Sequence, residues 1–109
     1  MKVRITKFME KIFDSSYKDY KKSRKWLIGL LESEIVEITF LKKDGTDRVM
    51  KCTLQEDYLP EVDGVILIDK DRWKKDAIAV FDIEKDGWRS FRWDSVKQIS
   101  FSIGEGKNA

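Results

Sequence analysis

Between Trp88 and Trp93 the chain reads Trp-Arg-Ser-Phe-Arg-Trp, two guanidinium groups interleaved with three aromatic rings. Side chains alternate along a strand, so Arg89, Phe91 and Trp93 share one face and Trp88, Ser90 and Arg92 the other. A cation beside a ring suits single-stranded nucleic acid or a nucleotide, because bases stack on the ring while the guanidinium meets phosphate. The competing assignment puts Trp88 and Phe91 in the core and pairs the arginines with carboxylates such as Asp82 and Asp94. Lys42 and Lys43, with Arg48 and Lys51 shortly after, could extend a phosphate track with Arg92; lysines there serve equally for solubility and edge protection. A further basic cluster, Lys18, Lys21, Lys22, Arg24 and Lys25, interleaves with Tyr17, Tyr20 and Trp26, a surface suited to nucleic acid. Trp26 and Trp93 are also candidate anchors of a protein interface, where tryptophan dominates hot spots.

Catalytic chemistry is much poorer. The 109 residues contain no histidine and one cysteine, Cys52, which removes imidazole bases, Cys/His metal sites, and Ser/His/Asp or Cys/His nucleophiles. Asp69-Lys70-Asp71 comes nearest to a cation site, but its lysine offsets the charge and the EF-hand spacing is absent. A non-enzymatic domain without metal or cofactor is expected. No apolar run approaches the roughly 18 residues of a membrane span, and the start of the chain is too charged for a secretory segment. The expectation is therefore a cytoplasmic protein with no membrane partner. An amphipathic membrane-surface helix at 17–32 has too few exposed apolar residues to insert.

Elements must position these groups. Ile5, Phe8, Met9, Ile12 and Phe13 fall at i, i+3, i+4, i+7 and i+8, which predicts a first short helix with one apolar stripe. Asp14-Ser15-Ser16 supplies N-cap candidates for a second helix over 17–32, with Tyr20, Leu27, Leu30 and Leu31 inward. From Glu34 the period changes to two, with Val36, Ile38 and Phe40 on one face. Asp44-Gly45 then predicts a hairpin with a return strand over 47–55, Met50, Cys52 and Leu54 inward. A weaker edge strand is expected over 65–68, a strand over 77–84, a turn at Asp86-Gly87, a strand over 88–92, one helical turn over 93–96 and a last strand over 97–103. Five or six short strands with two tight hairpins predict a small, strongly bent antiparallel barrel, since a flat sheet of this size would expose an apolar face and two edges. The class is α+β, with a helical segment (1–33) packed on a barrel (34–103) and a flexible tail (104–109).

Charge is uneven. Residues 1–33 carry nine Lys/Arg and four Asp/Glu, net +5, and residues 34–109 carry thirteen and sixteen, net −3. A basic arm beside a mildly acidic body fits nucleic acid or an acidic protein partner, and equally an ordinary solvated helix face.

Two stretches carry a resemblance. Phe40-Leu41-Lys42-Lys43-Asp44-Gly45 running on to Cys52-Thr53-Leu54, and Ile78 to Asp82 followed by Gly87-Trp88-Arg89-Ser90-Phe91-Arg92-Trp93, resemble a family of small tailed-bacteriophage proteins with a WYL-like domain of Sm-like SH3 β-barrel fold. The resemblance covers about residues 34–102 and implies a phage origin, a barrel, and a ligand-sensing or nucleic-acid-binding role in the host cell cytoplasm. It brings no catalytic residues, and the Trp-Tyr-Leu tripeptide of the larger family does not occur. The leading expectation is a module binding nucleic acid or a nucleotide through Lys21, Lys22, Lys25, Lys42, Lys43, Arg48, Arg89, Arg92 and Trp93. The alternative is a module that binds and modulates a host protein through Trp26 or Trp93. Homo-oligomers formed by edge-strand pairing are a third expectation.

Overall fold

The computed structural model describes residues 2–9, 11–61 and 69–104. Strand β1 (Lys2–Phe8) comes first, then helix α1 (Tyr20–Ser33), β2 (Val36–Leu41), β3 (Asp47–Thr53), β4 (Ala77–Asp82), β5 (Gly87–Arg92) and β6 (Val96–Gly104). All six strands join one sheet in the order β1-β6-β2-β3-β4-β5, and every pairing is antiparallel.

The expected first helix is a strand. Lys2 to Phe8 runs along β6 from Gly104 to Gln98, and α1 is the one α-helix among the described residues. The segment Val3-Arg4-Ile5-Thr6 also alternates with period two, and its β-branched residues favour a pleated surface. The bare edge of the nine-residue β6 decides between the two periods, because pairing there satisfies a row of backbone groups that a helix would leave open. Polar side chains follow suit: Arg4 reaches Glu37 at 2.7 Å and Thr6 meets Ser100 at 2.9 Å. Phe8 consequently points away from the core, 77% exposed, while Met9 and Phe13 beyond the strand are buried.

Asp14 does not cap α1. Its carboxylate accepts bonds from the Ser16 backbone N–H and hydroxyl, both at 2.9 Å, which close a local turn and hold its pKa below the ordinary carboxylate range. Helix α1 starts later than expected, with Asp19 at the N-cap position making no side-chain cap bond. At its other end Thr53, fully buried, places its hydroxyl 3.0 Å from the Leu31 carbonyl and 3.1 Å from that of Glu34. The Leu54 N–H also donates to Leu31 at 2.8 Å. The end of β3 thus satisfies helix carbonyls that have no intrahelical donor.

Curvature is visible in the core. Phe40 of β2 stacks on Phe91 of β5 with centroids 5.5 Å apart, although β3 and β4 lie between those strands in the sheet order. Two features permit the bend: a register shift after Thr39 in the β2–β6 pairing, and a short β3–β4 ladder confined to Cys52 and Thr53 opposite Asp82 and Phe81. Both expected hairpin tips are present, with φ of +88° at Gly45 and +53° at Asp86, and one 3₁₀ turn spans Trp93–Ser95. The strand expected over 65–68 and the tail beyond Gly104 lie outside the described residues.

The inward stripe of α1 is Tyr20, Arg24, Leu27 and Leu31, at i, i+4, i+7 and i+11. Arg24 is 3% exposed, so it does not belong to the basic outer face expected of it. Its Nε and Nη2 donate to the Phe13 carbonyl at 3.0 and 2.7 Å, and Nη1 donates to Trp73 and Lys75 carbonyls at 2.8 and 3.1 Å. The guanidinium also lies 4.7 Å from the Tyr20 ring centroid and 5.2 Å from that of Trp93. Burial lowers its pKa, opposed by Tyr20 and more distant carboxylates.

Two outcomes test this account by denaturant unfolding. Arg24→Lys should cost roughly 3 kcal/mol, because a single ammonium cannot span three carbonyls and each buried group left unpaired costs about 1–3 kcal/mol. Gly45→Val should cost about 1–2 kcal/mol through backbone strain alone, since a Cβ there meets nothing within 4 Å; an unchanged midpoint would refute the turn conformation.

Candidate nucleic-acid interface

The residues expected to bind together stand on separate elements, and one of them is inside the molecule. Trp93 has no exposed surface. Its ring packs 5.5 Å from Phe13 and 6.3 Å from Phe91, on the inward face that the strand alternation shares with Phe91. It can neither stack on a base nor anchor a partner, and its indole Nε1 is buried with no hydrogen-bond partner among the described residues. Trp88 is half-exposed, edge-on to Phe81 at 6.1 Å.

Arg48 is likewise committed. It donates to Asp82 at 3.0 Å, and the Asp82 side chain is almost wholly buried. The same carboxylate accepts the Glu84 and Lys85 N–H groups, each at 3.0 Å, so the ion pair closes the β4–β5 turn onto β3. Arg92 is exposed but forked onto Asp94, with bonds of 3.1 and 3.0 Å that raise its pKa. Lys42 lies 3.5 Å from Asp44. Lys43 and Arg89 are exposed, and Arg89 bonds only to the neighbouring Trp88 carbonyl among the described residues. The arginine-aromatic face expected on β5 is therefore largely neutralised or buried.

The helix is different. Lys21, Lys22 and Lys25 are exposed and form no ion pair among the described residues. Lys21 and Lys25, one turn apart, hold their ammonium groups 4.8 and 5.3 Å from the Trp73 ring centroid, and Lys74 approaches the same ring at 5.5 Å. Trp73 sits on a 3₁₀ turn, Arg72–Lys74, and Arg24 grips its carbonyl and that of Lys75 just after the turn. Three like charges are thus gathered round one ring, and among the described residues only Lys74 has a carboxylate in reach, Asp71 at 3.6 Å. Tryptophan offers its negative face to each cation, which lowers the cost of crowding them. Trp73 escaped the sequence reading because nothing local to Asp71-Arg72-Trp73-Lys74 relates it to residues fifty positions earlier. Phe8 was missed for a different reason, its assignment to a helical stripe.

Lys22 and Trp26 line the adjoining stripe of α1, about 100° round the helix. Trp26 is 37% exposed, edge-on to Phe101 at 6.2 Å and covered on one side by the Lys7 ammonium at 4.7 Å. A wider groove of about 790 Å³ opens elsewhere, beside Gln55, Arg72, Lys75 and Trp88, but Arg72 is paired with Glu32 and Lys75 with Asp69, which leaves the carboxylates of Glu56 and Asp57 to make its lining acidic and ill-suited to phosphate. Cys52 offers no nucleophile: burial, and secondarily the Asp82 charge, push its thiol up to about 12. No cluster of metal-ligating residues occurs among the described residues.

A small, curled antiparallel sheet closed by one helix is the architecture of Sm-like and SH3-like barrels. The family described as WYL_2, Sm-like SH3 beta-barrel fold, matches residues 24–97, and the chain belongs to that family. The chain is also 34% identical over 71 residues to an uncharacterized 11.5 kDa protein of the Gp31-cd intergenic region of Enterobacteria phage T4, an overlap of 64% of this chain and 70% of the relative. It is a WYL-like domain of phage type. No solved structure matches it. The family match begins at Arg24, which leaves β1 and the first turn of α1 outside the shared region.

The Arg48 assignment is testable. Arg48→Ala should lower stability by about 1–3 kcal/mol, because Asp82 stays buried without its cation, and should leave the salt dependence of any polyanion binding unchanged. A flattened salt dependence with unchanged stability would return Arg48 to the binding surface.

Proposed function

We propose that this domain is a non-enzymatic module that binds nucleic acid in the host cytoplasm, using the lysine face of α1 as its phosphate contact. The observation that carries this reading is the convergence of Lys21, Lys25 and Lys74 on Trp73. Like charges held this close repel one another, and a phosphate between them relieves the repulsion while releasing counterions. The positive excess of residues 1–33 places the same face in a favourable long-range field. Lys43 and Arg89 are exposed cations elsewhere that add general attraction without forming a second cluster. An acidic host protein would answer to the same charge, and is the second reading.

Binding to labelled DNA and RNA should weaken steeply with salt. Lys21→Gln and Lys25→Gln should each flatten the log–log slope by roughly 0.7 to 0.9, with the fold intact. Absence of binding by the folded protein at about 50 mM salt would overturn the reading in favour of the acidic-protein alternative.

A further inference from the structure

Beside the lysine cluster, where β1 ends against α1, Phe8, Met9, Ile12 and Trp26 line a groove of about 480 Å³ whose charged rim is Lys7 and Lys22. Two features set this groove apart from ordinary surface. Phe8 is 77% exposed, a large ring left in water at the end of an edge strand when the adjacent Met9 and Phe13 are buried. Trp26 is by contrast held in place, braced edge-on by Phe101 and overlain by Lys7. The result is an apolar slot with one free ring and one oriented ring. Both charges on its rim, among the described residues, are ammonium groups.

Resting on the nucleic-acid reading above, we infer that this groove takes an unpaired base of a single strand. The base stacks on Phe8, against the Trp26 side of the groove, and its flanking phosphates meet Lys7 and Lys22. Charge complementarity selects this occupant over a neutral apolar segment, which would leave two ammonium groups partly desolvated without a counter-charge. Stacking on an aromatic side chain needs only the π-face that every base has, so the groove is indifferent to sequence. A duplex keeps its bases stacked on one another and can use only the lysine face round Trp73. The domain therefore prefers single strands to duplex, and the preference resides in Phe8.

The test is anisotropy titration of a labelled oligothymidylate and of a duplex of equal length with the wild-type chain, Phe8→Ala and Phe8→Trp. Phe8→Ala should reduce single-strand affinity roughly 5- to 150-fold, the range expected for loss of one stacked base, without changing the salt slope, and the preference over duplex should disappear. Phe8→Trp should restore both. Because Phe8 is exposed, the melting temperature should not move, so lost binding cannot be lost fold. Wild-type affinity for the oligonucleotide in Phe8→Ala overturns the groove assignment and leaves the lysine-face reading standing. Failure of the wild type to bind either nucleic acid overturns both.

Discussion

A single guanidinium holds the parts of this domain in relation to one another. Arg24 projects from α1 and binds carbonyls of the loop before the helix, at Phe13, and of the 3₁₀ turn before β4, at Trp73 and Lys75. Its plane rests between Tyr20 and Trp93, so the turn between β5 and β6 is included. Burying a cation is costly unless its donors are satisfied. Here no carboxylate touches it among the described residues; carbonyl dipoles and ring quadrupoles share the stabilisation, an arrangement suited to arginine's flat fork and closed to lysine's point charge. Burial nudges the pKa down, yet a guanidinium is basic enough to remain charged at neutral pH.

Surface charge follows from that internal contact. Arg24 fixes the 3₁₀ turn through the Trp73 carbonyl, and the Trp73 ring is then presented to Lys21, Lys25 and Lys74. The helix is thereby divided into an inward stripe with its own buried cation and outward stripes whose lysines form no ion pair among the described residues. Several cations elsewhere on the domain are matched with carboxylates, as in Arg48–Asp82, Arg72–Glu32 and Arg92–Asp94. Under the proposed function the phosphate contacts fall on α1, because Arg48 and Arg92 of the sheet are committed to Asp82 and Asp94.

Curling of the sheet places the N-terminal strand next to this helix. β6 pairs with β2 on one side and β1 on the other, while Thr53 at the end of β3 ties the last turn of α1 to the sheet. The groove between Phe8 and Trp26 is thus formed at the meeting of a strand edge and a helix face. Neither element contains it alone.

Much of the sheet was legible in the sequence. The alternation in Val36-Glu37-Ile38-Thr39-Phe40, the Asp-Gly turns at 44–45 and 86–87, and the single turn after Trp93 are local signals, set by side-chain period and by the few residues that tolerate positive φ. What failed was decided by long-range pairing. Ile5, Phe8, Ile12 and Phe13 satisfy a helical stripe, yet Val3, Ile5 and Thr6 satisfy a strand, and only the exposed edge of β6, ninety residues away, chooses between them. Trp93 and Arg24 show the same limit from inside and outside. A tryptophan in a basic stretch and an arginine among lysines have the composition of a binding surface, but both lie on inward stripes, and burial depends on which element closes over them. The sequence by itself determined strands β2 to β6, the hairpins, the family and the excess of positive charge in the first third of the chain. The tertiary structure alone decided which cations are consumed inside and which aromatic rings remain in water, because each assignment rests on partners distant in the chain whose meeting no local pattern encodes.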